Sequence, residues 1–128
     1  MKPQPLIAVS DVEASSRWYQ KLLRCRSGHG GAEYEQLVDA SGALILQLHA
    51  WEAHEHPHLG DPAVRPYGNG VLLWFQIDDF DAAVARAREM TVEILEGPRV
   101  NPNANHRELW LRDPDRYVVV LASACGDL

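Results

Sequence analysis

Apolar and polar residues alternate along the chain in patterns that predict short strands and amphipathic helices. An apolar run at residues 6–9 leads directly into a helix start, and the same succession recurs at residues 71–75. The segment VSDVEASSRW, which begins at Val9, aligns with IDDFDAAVAR, which begins at Ile77, so that position 11 becomes position 79, a shift of 68 residues. The chain therefore contains two related strand-to-helix units.

The pattern after each predicted helix changes to β-rich runs. In the first half these predict strands at residues 34–38 and 43–49, with a weak strand at residues 24–27; in the second half they predict strands at residues 92–95, 108–112 and 117–122. Each half is thus predicted to be β-α-β-β-β. Residues 51–69, rich in His, Pro and Gly, are predicted to link module one, about residues 1–50, to module two, about residues 70–128.

Polar residues at the two helix starts predict N-caps. Ser10 or Asp11 can accept a hydrogen bond from the first-turn amides of the first helix, and Asp78 with Asp81 repeats the arrangement in the second. Apolar stripes on both helices are predicted to pack into the core. The stripe residues are Val12, Trp18, Tyr19, Leu22 and Leu23 in the first helix and Phe80, Ala83, Val84 and Ala87 in the second.

Composition narrows the class of protein. A chain of 128 residues with 46% hydrophobic and 23% charged residues is typical of a single globular domain. A net charge of -6 without a basic cluster argues against nucleic acid and anionic membranes as partners. No signal-like or bilayer-spanning apolar run is present, and Cys25 and Cys125 lack the spacing of a metal site or a disulfide framework. We therefore expect a cytoplasmic protein.

Four motifs in this order resemble the vicinal oxygen chelate superfamily, which includes glyoxalase I, extradiol dioxygenases, fosfomycin resistance proteins and bleomycin resistance proteins. They are VSD at residues 9–11, the aromatic pair followed by Leu22-Leu23, IDDFDAA from Ile77, and RELWLRDPDRYVVVLAS from Arg107. The resemblance implies an α+β fold in which two tandem β-α-β-β-β modules form a partly open barrel-like cleft. It also implies a homodimer.

Metal-dependent members of that superfamily carry one ligand on the first strand and one on the last strand of each module. The resemblance places these positions at Gln4 and Leu72 for the first strands, at Gln47 or Leu46 for the last strand of module one, and at Val120 for module two. Leucine and valine have no donor atoms, and two amide oxygens would bind a divalent cation weakly. We therefore expect the usual metal site to be lost and no cofactor to be bound.

The turn before the last predicted strand departs from the family pattern. In turns of the Asp-Pro-Asp-Gly type the glycine favours a positive φ, but this chain has Arg116 there. Two outcomes are open: either Arg116 adopts a strained conformation, or the turn differs. In either case the neighbouring positions offer no metal ligand.

Aromatic residues supply a candidate binding surface. Tyr34, Trp74 and Trp110 fall on strand faces that the resemblance sends inward, and Trp51 follows nearby. Flat aromatic walls suit a hydrophobic or aromatic small molecule, although ordinary core packing explains such residues as well.

Polar residues on the same strand faces are further candidates for binding a ligand or a metal ion. His106 and Glu108 share a face with Trp110, and they either line a polar cavity or lie on an exposed sheet surface. His49 lies on the same strand face as Gln47 and begins a histidine-rich stretch. This stretch either holds a metal ion or is a solvated loop, and we favour the loop. The histidines of this stretch are His49, His54, His56 and His58.

These patterns predict a metal-independent protein, closest in character to bleomycin resistance proteins, that sequesters an aromatic or hydrophobic antibiotic or metabolite without transforming it. No catalytic residue is predicted. The alternative is a metal-dependent lyase, isomerase or dioxygenase that uses a displaced divalent metal held by Gln47, His49, His106 or Glu108. The predicted ligand-binding residues are Tyr34, Gln47, His49, Trp51, Trp74, His106, Glu108 and Trp110.

Overall fold

The structure, a computed structural model, describes residues 1–53 and 56–128. The chain divides into two compact units, Met1–Arg65 and Pro66–Leu128. Within the described residues, each unit has one α-helix and one four-stranded mixed sheet in the order β-α-β-β-β, which confirms the predicted α+β class and the two modules. Both sheets are open sheets with free edges rather than parts of a closed barrel.

The first unit is built on a sheet with the strand order β1-β4-β3-β2. Strand β1 pairs in parallel with β4, and the other neighbours are antiparallel. Its elements are β1 (Leu6–Val9), α1 (Val12–Leu23), β2 (Arg26–His29), β3 (Tyr34–Val38) and β4 (Leu44–Ala50).

The second unit repeats this topology with the strand order β5-β8-β7-β6. Strand β5 is parallel to β8, and the remaining pairs are antiparallel. Its elements are β5 (Leu73–Gln76), α2 (Phe80–Glu89), β6 (Glu93–Asn101), β7 (His106–Arg112) and β8 (Val118–Ala122).

Equivalent aspartates cap the two helices. Asp11 accepts a hydrogen bond from the Ala14 amide at 2.9 Å, and Asp79 accepts one from the Ala82 amide at 3.1 Å. These acceptors satisfy first-turn amides that have no partner within the helix. The prediction that Asp78 caps the second helix was wrong by one residue: the cap is Asp79, which the 68-residue shift pairs with Asp11.

Side-chain contacts identify which face of each sheet lies under its helix. Ser16 of α1 donates to Glu35 of β3 at 2.7 Å, and Arg107 of β7 donates to Asp81 of α2 at 2.8 Å. Since side chains alternate along a strand, odd-numbered residues of β3 and β7 face the helices. The core between helix and sheet contains Tyr19, Leu22, Leu37, Leu46 and Leu48 in the first unit and Phe80, Ala83, Ala87, Leu109, Leu111 and Leu121 in the second. We call the opposite face of each sheet its distal face.

Strand β6 is much longer than the segment predicted at residues 92–95. It reaches Asn101 through two register shifts against β7, one between Ile94 and Glu96 and the next between Glu96 and Arg99. Gly97 lies in the second shift with φ +89°, and a Cβ on it would be 2.5 Å from the Glu108 carbonyl oxygen. Glycine and proline at residues 97 and 98 interrupt the sequence pattern of a strand, but the irregularity absorbs them and pairing continues.

The turn between β7 and β8 keeps its shape without glycine. Asp113 accepts hydrogen bonds from the amides of Asp115 and Tyr117, both at 2.9 Å, while Arg116 has φ +72°. The Arg116 guanidinium donates to Glu93 at 2.8 Å. Of the two outcomes expected for this turn, the structure has the first: Arg116 itself occupies the left-handed region.

Within the described residues, no helix is both long enough and apolar enough to cross a bilayer.

Candidate functional site

The distal face of the second sheet carries a buried carboxylate at its centre. Glu108 lies in the middle of β7, paired with Ala122 of β8 on one side and with Arg99 of β6 on the other. Its side chain is only 1% exposed. A buried carboxylate is costly unless it is hydrogen-bonded, so its partners decide what it can do.

Both carboxylate oxygens of Glu108 accept hydrogen bonds. Asn101 Nδ2 and His106 Nε2 each lie 3.0 Å from Oε1, and Trp110 Nε1 donates to Oε2 at 3.2 Å. The Arg99 guanidinium lies 3.6 Å from Oε2. Four side chains thus converge on one anion.

These contacts keep Glu108 ionised. Burial by itself raises the pKa of this carboxyl, but the hydrogen bonds from Asn101, His106 and Trp110 outweigh it, so the pKa lies below the ordinary value. A low-pKa carboxylate surrounded by donors is a poor general base. We infer that Glu108 fixes the positions of its neighbours.

The neighbours that Glu108 holds form an aromatic surface. The Trp74 ring lies 6.2 Å from the Trp110 ring at an interplanar angle of 83° and 6.0 Å from the His106 ring at 32°. Trp74 lies on the edge strand β5 and remains 45% exposed, although its ring contacts the other two rings. We call Trp74, His106 and Trp110, with Glu108 beneath them, the tryptophan cluster. The structure therefore brings together four of the eight predicted ligand-binding residues.

A second set of predicted residues meets on the distal face of the first sheet. Tyr34 donates a short hydrogen bond to Gln47 Oε1, and Gln36 donates to the Tyr34 hydroxyl at 3.0 Å. Gln47 in turn donates to the Gln4 carbonyl at 2.9 Å. Gln47 lies on this distal face, whereas Leu46 is buried on the helix side.

His49 lies beside this network. Its Nδ1 is 2.7 Å from the Ala50 carbonyl oxygen, and its ring lies 6.1 Å from the Tyr34 ring and 4.7 Å from the His56 ring. His56 and His58 are exposed, whereas His54 falls outside the described residues.

Trp51 follows β4 in a turn and is half-buried; its ring lies 3.6 Å from where a Cβ on Gly60 would be.

The positions that carry metal ligands in related metalloenzymes do not fit a metal ion here. Gln4 and Leu72 lie before their strands rather than on them, and Leu72 and Val120 offer no donor atom. Both the oxygen and the nitrogen of the Gln47 amide already form hydrogen bonds, with Tyr34 and with the Gln4 carbonyl. Over residues 1–53 and 56–128, no three or more His, Cys, Asp or Glu side chains are grouped to hold an ion.

The two cysteines are free thiols. Burial raises the pKa of Cys25 to about 11, an effect that the nearby Glu35 charge reinforces and a backbone hydrogen bond partly opposes. Cys125 is exposed and donates to the Ala104 carbonyl at 3.4 Å. Cys25 is therefore a poor nucleophile at neutral pH.

Sequence reasoning missed two partners of the buried carboxylate, Asn101 and Arg99. Both lie in the part of β6 beyond the predicted strand, so their position opposite Glu108 was not foreseen. The sequence did offer one signal, the alternation of polar and apolar residues along β7. A long strand in an antiparallel sheet pairs with a neighbouring strand of similar length.

The two open sheets, each with one helix, define a duplicated α+β fold. The family model of the Glyoxalase/Bleomycin resistance protein/Dioxygenase superfamily matches residues 3–121, and the chain belongs to this superfamily. A search of curated proteins gave no match.

Solved structures share the fold at low sequence identity. A glyoxalase/bleomycin resistance protein/dioxygenase family enzyme from Burkholderia phytofirmans has a TM-score of 0.76 and 21% identity, over 94% of this chain and 96% of that chain. The fosfomycin resistance protein FosX from Listeria monocytogenes, solved with Mn(II) and sulfate, has a TM-score of 0.70 and 15% identity, over 97% and 90%. TioX from a Micromonospora species has a TM-score of 0.70 and 15% identity, over 96% and 98%.

Proposed function

We propose that this chain is a metal-independent binding protein that holds a flat aromatic or hydrophobic small molecule on the tryptophan cluster and does not transform it. The observation that carries the proposal is Trp74, which is 45% exposed while its ring contacts those of His106 and Trp110. An indole in this position offers a large flat apolar surface for stacking at small entropic cost.

Glu108 supports this role as a positioning residue. Its hydrogen bond to the Trp110 indole and its contact with His106 hold both rings in one orientation. A preorganised aromatic surface binds more tightly than a mobile one because fewer side chains are ordered on binding.

The donor set supports metal independence. Leu72 and Val120 stand where metalloenzymes of the superfamily carry ligands, and the oxygens of Glu108 are used by hydrogen bonds. The manganese in the FosX structure is a property of that protein. The competing proposal is an enzyme that uses a displaced metal held by Gln47, His49, His106 or Glu108.

Ligand binding can be tested by tryptophan fluorescence with a panel of planar aromatic compounds that includes bleomycin. We expect at least one compound to quench the emission, and Trp74→Ala to weaken its binding about tenfold. Because nearly half of Trp74 is exposed, the free energy of unfolding of this variant should lie within about 2 kcal/mol of that of the parent chain. The control is Trp18→Phe in α1, which keeps a ring against Tyr19 and should bind normally. Unchanged binding by a folded Trp74→Ala variant would refute the proposed site.

Metal independence has its own test. The purified protein is dialysed against buffer without chelator, and its Zn, Mn, Ni and Fe contents are measured. We expect well below one equivalent of each. A nearly stoichiometric metal would favour the displaced-metal enzyme and overturn the metal-independent proposal.

The proposal also includes the cellular location and the oligomeric state of the protein. We place it in the cytoplasm because Cys25 and Cys125 lack the spacing of a disulfide framework. A homodimer is proposed from the resemblance alone, and light scattering during gel filtration should return twice the chain mass. Tyr34, Gln47, His49 and Trp51 remain predicted ligand contacts on the first unit.

A further inference from the structure

A groove of about 520 Å³ lies on the helix side of the second unit, away from the tryptophan cluster. Its apolar lining comes from Phe80 and Val84 of α2 and from Pro98 and Val100 of β6. Val100 is exposed on the edge strand, so the apolar surface is accessible. The volume lies within the range of small-molecule sites.

Arginines surround this apolar lining. Arg88 of α2, Arg99 of β6 and Arg107 of β7 line the groove, against a single carboxylate, Asp81. The groove is therefore locally cationic in a chain whose net charge is -6. Such a local reversal of charge attracts an anionic ligand.

Existing contacts show which arginines are available. Arg107 donates to Asp81 at 2.8 Å and lies over the Phe80 ring at 4.8 Å, so its position is fixed. Arg99 contacts Glu96 at 3.1 Å and Glu108 at 3.6 Å, so its guanidinium is already engaged by two carboxylates. Arg88 is exposed and forms no ion pair within the described part of the chain. Arg88 is thus the group that can turn to a ligand without breaking an ion pair.

We propose that this groove binds an amphipathic organic anion, with its acidic head at Arg88 and its aliphatic body on Phe80, Val84 and Val100. A simple inorganic anion would leave the apolar lining unused, and a neutral hydrocarbon would leave the arginines unused. A guanidinium recognises a carboxylate or a phosphate head with the same geometry.

The groove is a separate site from the tryptophan cluster. Arg107 and Glu108 are neighbours on β7 and therefore point to opposite faces of the sheet. Only Arg99 approaches both, since its guanidinium also lies 3.6 Å from Glu108. Binding in the groove does not depend on the function proposed for Trp74.

Octanoate is a suitable probe, with octyl phosphate to compare head groups and octanol as the neutral control of equal chain length. Amide resonances in proton–nitrogen correlation spectra should shift at Val84, Arg88 and Val100 on addition of octanoate or octyl phosphate. Octanol should bind at least about threefold more weakly, and added salt should weaken octanoate but not octanol.

Substitutions test which residue binds the acidic head group of octanoate. Arg88→Gln should weaken octanoate binding about threefold, and Arg88→Lys should restore most of it. Two control variants should bind octanoate normally. Arg17→Gln removes the same charge from α1, and Trp74→Ala alters the tryptophan cluster. Equal binding of octanol and octanoate, shifts centred on Trp74 and Trp110, or an unaffected Arg88→Gln variant would each overturn the proposal.

Discussion

The substitution Glu108→Gln tests the central claim that a buried carboxylate organises the tryptophan cluster. It preserves the size of the side chain and removes its charge. The new amide has one accepting oxygen, whereas Asn101, His106 and Trp110 together donate to both oxygens of Glu108. At least one of these donors must therefore face an amide N–H instead of an oxygen.

The expected loss follows from that mismatch. A buried donor left without an acceptor costs about 1–3 kcal/mol, and hydrogen bonds to a charged group lie toward the upper part of that range. We expect Glu108→Gln to lower the free energy of unfolding by about 2 kcal/mol at neutral pH. Glu93→Gln is the matched control, because Glu93 is half-exposed and pairs with the exposed Arg116, so it should cost well under about 1 kcal/mol.

The loss should depend on pH in a defined direction. The pKa of Glu108 is lower in the folded chain than its ordinary value of 4.5. As the pH falls below that value, the unfolded chain takes up the proton first, and the stabilisation by the ionised carboxylate disappears as the pH passes through the folded pKa. The difference between parent and Glu108→Gln should therefore be largest at neutral pH and shrink below pH 4.5.

Urea denaturation followed by far-UV circular dichroism, repeated from neutral to acidic pH, measures both quantities. Two results would refute the reasoning. One is a Glu108→Gln variant as stable as the Glu93→Gln control at neutral pH. The other is a difference from the parent that does not change with pH, because the charge would then contribute nothing.

Two further predictions concern the backbone of β6 and the thiols. Gly97→Ala should lower the free energy of unfolding by about 2 kcal/mol or more, because its Cβ would lie 2.5 Å from the Glu108 carbonyl oxygen. Gly70→Ala is the control: it has a similar positive φ but no atom within 4 Å, and it should lower that free energy by only about 1 kcal/mol. Equal losses in urea denaturation would contradict the close contact at Gly97. A thiol reagent at mildly alkaline pH should modify Cys125 rapidly and Cys25 only after denaturation, since the pKa of Cys25 is about 11; two equally fast thiols would show that Cys25 is accessible.

Local patterns predicted the secondary structure well, because they record forces that act between near neighbours. The alternation at residues 34–38 placed β3 correctly, and the apolar stripe from Phe80 to Ala87 became the buried face of α2. The repeat also identified two equivalent modules. The cap of α2 was missed by one residue because Asp78 and Asp79 are chemically equal, and only the geometry of the first turn selects between them.

The candidate site was predicted only in part. Strand alternation placed His106, Glu108 and Trp110 on one face, and this arrangement depends on the β7 sequence alone. The contribution of Asn101 depends on pairing across two register shifts in β6. No rule based on neighbouring residues gives the register of an irregular strand pair.

The sequence by itself determined the α+β class, the duplicated module and the absence of donor atoms at Leu72 and Val120, since these follow from side-chain chemistry and short-range periodicity. Tertiary structure alone decided that Glu108 is buried, which donors surround it and that Trp74 stays exposed beside them. The physical reason is that burial and hydrogen bonding are set by strands distant in sequence. The sequence left open whether Glu108 lines a cavity or lies on an exposed surface, and it becomes the centre of the tryptophan cluster only when β5, β8, β7 and β6 assemble into one sheet.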